Sequence, residues 1–341
     1  MLKPKRLERK SLVALVNPTG KIPEKFSSQE DYSFEYLKKG GYNPKKFLVN
    51  SEALKEERAE IFNSAIKSCA KALFPVGNSK GATDILNLID YEEFSKNKPL
   101  FIGFSSLSTL LAKINQESNV IVFYGPHMVF LNDKSSFREN KYTIASFWNI
   151  LTGDSYAKNL GSELSDKIFR SGNEKLGLKN IHYYIPEIDE EIKFEGYESG
   201  FAHGKILASS LEGLEELSEL EYNLKNKIVI VDSVEINFDE AFCKINKIKE
   251  KTNALEMSAL IVASLKSRSD KKDSKLLPEL KNDSKRKEFV MSLRKMFKNN
   301  IPILYGFPSG HGRYKLTIPI GIESTLDLKS GDIYFKESIW D

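Results

Sequence analysis

From Ser11 to Phe123 the chain alternates short, fully apolar runs with amphipathic stretches, and no other feature constrains its fold as tightly. Ser11–Val16 (SLVALV) predicts a short buried strand closed by the turn Asn17-Pro18-Thr19-Gly20. Glu52–Lys71 carries Ile61, Ala65, Ile66 and Cys69 at helical spacing, with charges on the other face. Leu73–Val76 predicts a strand ended by Gly77-Asn78-Ser79-Lys80-Gly81, and Ala82–Leu88 a further helix. Pro99–Phe104 (PLFIGF) and Asn119–Phe123 (NVIVF) predict two more strands, separated by a helix over Leu107–Ile114. Such alternation predicts an α/β domain: a parallel sheet with helices on both faces. The loops at the carboxyl ends of such strands carry the chemistry, here 17–20, 77–81 and 104–106.

Residues 131–195 are polar, with few clear strands, and are expected to hold helices and a crossover. A second regular region begins near Gly196. It contains strands at Lys227–Val231, Ala259–Ser264 and Ile301–Tyr305, and helices at Phe238–Lys249 and Arg286–Asn299. The charged stretch Ser267–Ser284 predicts an exposed loop. Tyr314–Phe335 predicts short strands with turns at Gly321 and Ser330-Gly331. The expected organisation is therefore residues 1–150 as an N-terminal α/β domain, 151–195 as a linker and 196–341 as a C-terminal domain.

Composition narrows the function classes. The 341 residues include 51 basic and 47 acidic ones, interspersed, for a net charge of +4. That balance points to no nucleic-acid or membrane partner. The basic helix at residues 286–299 also carries Phe289, Leu293 and Phe297 at one-turn spacing, which marks a packed surface helix. The N-terminal apolar run, Leu12–Val16, is too short for a signal peptide or a span. Two cysteines, Cys69 and Cys243, lie outside any CxxC pair, so a reducing cytoplasm is expected. HxxxH, HxH and CxxC patterns are missing, and Gly77–Gly81 lacks a GK[ST] ending, so no metal and no cofactor are expected.

Three residues follow apolar strands where α/β proteins place active sites. Ser105 follows PLFIGF and precedes a helix, a turn that exposes a hydroxyl and aims backbone N–H groups and the helix dipole at it. A serine there also serves as a plain N-cap, and Leu107 replaces the second glycine of G-x-S-x-G. His311, in Pro308-Ser309-Gly310-His311-Gly312, follows IPILY and is suited to general-base work near neutral pH. The alternative is an exposed loop histidine. Asp232 ends KIVIV and could orient an imidazole, or merely cap a turn, and Glu235 is a competing carboxylate. The order Ser, acid, His is one that hydrolases use.

Beyond these positions stand Asp84–Tyr91, Lys98–Ser105 (KPLFIGFS), Leu107–Leu111 (LSTLL) and Tyr124-Gly125-Pro126. In these segments the chain resembles the LD-carboxypeptidase family. The resemblance resumes at Gly200–Leu207, similar to the family's glycine-rich linker segment, at Lys227–Asp232, and at Gly310-His311 with Leu316–Gly321 (LTIPIG). The resemblance implies a glutamine-amidotransferase-like N-terminal domain, a smaller β-rich α/β C-terminal domain and a homodimer. It implies Ser105 as nucleophile, His311 as base and Asp232 as orienting acid, with Ser106, Asn78 and Ser79 on the oxyanion and substrate loops. The implied reaction is amide hydrolysis in a cell-wall peptide or in a peptidyl or aminoacyl nucleotide.

Departures from the family pattern raise a second expectation. Asp232 stands where the family has Glu, one methylene longer, so it reaches His311 only if the backbone comes closer. Ser106 replaces an Asp, and Gly77-Asn78-Ser79-Lys80-Gly81 replaces Arg-Gly-Gly-x-Gly. Asn tolerates positive φ better than Ser, so one oxyanion donor could be mis-set. The alternative is a catalytically impaired relative that binds a peptide-like ligand or confers immunity.

Overall fold

The computed structural model describes residues 1–20, 29–77, 81–128, 131, 141–153, 170–171, 180–183, 196–234, 236–266, 283–312 and 315–341. The chain divides into two compact units. The first comprises Met1–Gly161, Thr317–Gly321 and Ser338–Asp341, the second Ser162–Leu316 and Ile322–Glu337. The second unit thus takes about as large a share of the chain as the first. The first also recruits two short pieces from near the C-terminus.

In the first unit the elements run β1 (Leu12–Val16), α1 (Gln29–Lys39), β2 (Asn43–Phe47), α2 (Lys55–Lys67), β3 (Ala72–Pro75), α3 (Tyr91–Asn97), β4 (Leu100–Gly103), α4 (Ser108–Ser118), β5 (Val122–Tyr124) and α5 (Lys141–Thr152). Ile318–Ile320, β12 in chain order, completes a six-stranded sheet of order β12-β5-β4-β3-β1-β2. Neighbours from β2 through β5 pair in parallel, and only β12 is antiparallel. The expected parallel sheet is present, and its carboxyl edge carries the loops after β1, β3 and β4. Burial explains the apolar runs: Val13–Val16 and Leu100–Ile102 are fully covered on both faces. Asn115 on α4 holds the added strand, donating from Nδ2 to Val120 O (2.8 Å) and to Ile320 O (3.3 Å).

Two elements of this unit have weak sequence signals. β2 reads Asn-Pro-Lys-Lys-Phe, without apolar alternation, because it is the edge strand, where Pro and Lys discourage further pairing. The stretch expected as a helix over Ala82–Leu88 is a 3-10 turn at Thr83–Leu88, followed by α3. Asp90 Oδ1 caps α3 by accepting the Glu93 N–H at 3.0 Å. Asn119, expected to open a strand, instead ends α4 in the left-handed conformation (φ +57°), so β5 begins at Val122.

The second unit holds β6 (Arg170–Ser171), β7 (Asn180–Tyr183), β8 (Phe201–Ser210), α6 (Leu211–Glu219), β9 (Lys227–Val234), α7 (Phe238–Lys251), β10 (Ala259–Lys266), α8 (Asp283–Met296), β11 (Ile303–Tyr305), β13 (Glu323–Asp327) and β14 (Ile333–Phe335). Its eight-stranded sheet has the order β11-β10-β9-β8-β13-β14-β7-β6. The β8–β11 half is parallel and the remainder antiparallel. Gly200–Leu207, the segment similar to the family's glycine-rich one, runs into the ten-residue β8. Gly204 is needed there because a Cβ would lie 2.3 Å from Asn226 O. His203 is a satisfied strand histidine, with Nδ1 2.9 Å from Thr325 Oγ1 on the paired strand. The expected loop over 267–284 lies largely outside the described residues, and its last two residues already belong to α8. Among the described residues no helix is long and apolar enough to cross a membrane.

Candidate active site

The turn after β4 reverses the chain sharply between a strand and a helix. Phe104 is still extended, and Ser105 then reverses the chain at φ +55° before the 3-10 turn Ser105–Leu107 and α4. A non-glycine residue in the left-handed region is strained, and such strain clusters at functional positions. The Ser105 carbonyl is held by the Ser108 N–H and by Ser108 Oγ, the latter at 2.7 Å, so the turn is locked from the helix side. Gly103 permits the close packing of helix on strand, since a Cβ there would meet Leu107 Cβ at 3.0 Å. Leu107, where the family motif of lipases has glycine, is fully buried in that contact. Ser105 and Ser106 are both half-buried.

Asp232 and His311 come together in the second unit. Asp232 was expected to end its strand, yet β9 continues to Val234. Asp232 lies in register with Ser210, the last residue of β8, and is 1% exposed. A buried carboxylate needs hydrogen-bond partners. His311 supplies two: its backbone N–H donates to Asp232 Oδ2 at 2.9 Å, and its Nδ1 bonds the same oxygen. The imidazole keeps 17% of its surface exposed. With Nδ1–H donated to the carboxylate, Nε2 becomes the atom that can take a proton.

The missing methylene of Asp232 is made up by the backbone. Gly310 turns at φ +78° directly against the carboxylate, and a Cβ on it would lie 2.0 Å from Asp232 Cγ. The loop can approach this closely only with glycine at that position. Glycine beside the histidine was visible in the sequence, but not what it packs against. Tyr305, at the end of β11, is a titratable group at the base of this loop. Burial pushes its phenol up to about 12, so it stays protonated at neutral pH and serves as a packing group against Phe238 and Phe289.

Ser105 belongs to the first unit, and Asp232 and His311 to the second. Asn78 and Ser79 lie outside the described residues, as does Glu235. Among the described residues no group of His, Cys, Asp or Glu is clustered to hold a metal ion.

Two α/β units, one carrying a strained serine turn and the other an Asp–His pair, make a two-domain α/β protein. Family models for the LD-carboxypeptidase N-terminal domain and C-terminal domain match residues 13–125 and 203–326. The chain belongs to the LD-carboxypeptidase family. A Vibrio cholerae protein named as a carboxypeptidase is 24% identical over 326 residues, covering 91% of this chain and 89% of that protein. The microcin C7 self-immunity protein MccF of Escherichia coli is 24% identical over 303 residues, covering 83% of this chain and 78% of its own. The fold matches MccF in complex with glutamyl sulfamoyl guanosine at a TM-score of 0.75 and 18% identity, over 100% of both chains. It also matches muramoyltetrapeptide carboxypeptidase from Oxalobacter formigenes at 0.68 and 17% identity, over 95% of this chain and 97% of that one.

Proposed function

We propose that the chain is a serine peptidase or amidase of LD-carboxypeptidase type. The Asp232–His311 pair carries this reading, because its close approach through Gly310 restores the reach that Asp in place of Glu would lose. Ser105 Oγ attacks an amide carbonyl while His311 Nε2 takes its proton. The proton passes to the leaving amine, an acyl-enzyme forms, and water releases the acid. Asp232 holds the imidazole tautomer and stabilises the imidazolium. The backbone N–H of Ser106, with Asn78 and Ser79 on the loop after β3, serves the oxyanion.

Two substrate classes fit, a cell-wall peptide cleaved next to a free carboxylate and a peptidyl or aminoacyl nucleotide. The second is supported by the complexes of MccF with glutamyl sulfamoyl guanosine and with aspartyl sulfamoyl adenosine. The same reading takes the protein as a cytoplasmic homodimer, in keeping with two free, exposed cysteines. The departure at Asn78-Ser79-Lys80 favours a second reading, an impaired relative that binds its ligand without efficient turnover. Incubation with an LD-linked tetrapeptide and with an aminoacyl sulfamoyl nucleoside, read by mass spectrometry, separates these. Turnover of one class, and not the other, is expected. Binding without turnover of either would replace the peptidase by the impaired relative.

A further inference from the structure

Arg58 lies on α2 and is 8% exposed, an uncommon place for a guanidinium unless its partners are fixed. Its Nη1 donates to Gly81 O at 2.9 Å and to Pro18 O at 3.4 Å, and its Nη2 to Asp84 Oδ2 at 2.9 Å. Two of these acceptors are main-chain carbonyls, one from the loop after β1 and one from the loop after β3. Charge balance alone would need only Asp84, whose side chain is 51% exposed and therefore a weak ion-pair partner.

The glycines around Arg58 point the same way. A Cβ on Gly20 (φ +76°) would lie 2.6 Å from Arg58 Cδ, and one on Gly81 (φ +106°) 3.1 Å from Arg58 Nη1. Both loops thus close on one side chain at positions that suit only glycine. The β1 loop is itself fixed from the other side. Asn17 Nδ2 donates to Gly20 O (3.0 Å) and Val49 O (2.8 Å), and Asn17 Oδ1 accepts the Val49 N–H at 2.9 Å.

We propose that Arg58 is a positioning residue that ties Gly81, where the glycine-flanked loop after β3 rejoins the fold, to the anchored loop after β1. The proposal rests on the reading of Ser105 as a nucleophile served by that loop. Arg58 touches no reacting atom. Its planar fork holds its donors in a fixed geometry toward several acceptors, whereas a lysine ammonium is a compact point charge with freely rotating donors.

The test is the inactivation kinetics of a serine-directed fluorophosphonate on wild type, Arg58→Met and Arg58→Lys, with folding checked by circular dichroism. The rate constant for adduct formation in Arg58→Met should fall by on the order of 10–10²-fold, with Arg58→Lys between the two. The inhibitor's half-saturation constant should change by less than about threefold, because the loop acts on the developing oxyanion. A merely structural role would lower the melting temperature and leave the rate constant of the folded protein unchanged. Folded Arg58→Met reacting within about twofold of wild type overturns the proposal. Should Arg58→Met fail to fold, Arg58→Lys decides, and a wild-type rate constant there overturns it equally. An unlabelled wild type overturns the nucleophile reading, and this proposal with it. Labelled wild type with unaffected variants overturns this proposal alone.

Discussion

His311→Ala is expected to leave a folded protein in which the reaction of Ser105 with a fluorophosphonate is slowed by on the order of 10²–10⁴-fold, the usual worth of a positioned general base. The reason is local. Nδ1 is committed to Asp232, so in the proposed mechanism Nε2 is the atom that takes the serine proton. Tyr305 is held protonated by burial. Asp232→Asn should follow in the same direction, because an amide in place of the carboxylate no longer fixes the imidazole tautomer. The corresponding change in a well-studied serine protease costs about 10⁴ in kcat. His311→Ala keeps the backbone N–H bond to Asp232, so the variant should remain folded, as checked by circular dichroism. A variant that reacts at the wild-type rate would remove His311 from the mechanism.

Gly310→Ala is expected to damage both stability and reactivity. The added methyl would sit 2.0 Å from Asp232 Cγ and 2.4 Å from Oδ2, well inside any tolerable contact. Neither side can yield cheaply. Asp232 is fixed within β9 opposite Ser210, and the loop is held by the His311 N–H bond to the same carboxylate. Alanine also disfavours the left-handed conformation that this position adopts at φ +78°. Together these should cost about 1–3 kcal/mol by denaturant unfolding. The imidazole should shift by on the order of 1 Å, with a fall in labelling rate of roughly 10²-fold. Wild-type stability with a wild-type labelling rate would mean that the loop does not pack on Asp232 as described.

Much of the first unit was legible because its central strands are buried on both faces and therefore read as unbroken apolar runs. Leu100–Gly103 and Val13–Val16 need no partner information to be recognised. The edge strand Asn43–Phe47 escapes the same reading, since among the described residues it pairs on one side only and its residues are chosen to repel pairing. The strand Ile318–Ile320 was legible as a strand, but not as a member of the first unit's sheet. That assignment depends on Asn115 and on the pairing with β5, both of which are long-range.

The site shows the same division. Ser105 announces itself through the strand before it and the helix after it, yet its positive φ is visible only in three dimensions. Asp232 and His311 were legible as single residues following apolar runs, although β9 in fact continues past Asp232, and the sequence left open whether the shorter acid could reach. Gly310 answers that question, and its role depends on a neighbour 78 positions earlier in the chain, Asp232. Arg58 lay in plain view on an amphipathic helix and drew no notice. An arginine among charged helical residues reads as solvated until the loops around it are known.

The central claim, that Ser105 is an activated nucleophile, is tested most directly by intact-mass analysis after treatment with a fluorophosphonate, on wild type and on Ser105→Ala. The account predicts one adduct per chain on wild type and none on Ser105→Ala. Folded wild-type protein that carries no adduct, or an adduct that persists in Ser105→Ala, would contradict it.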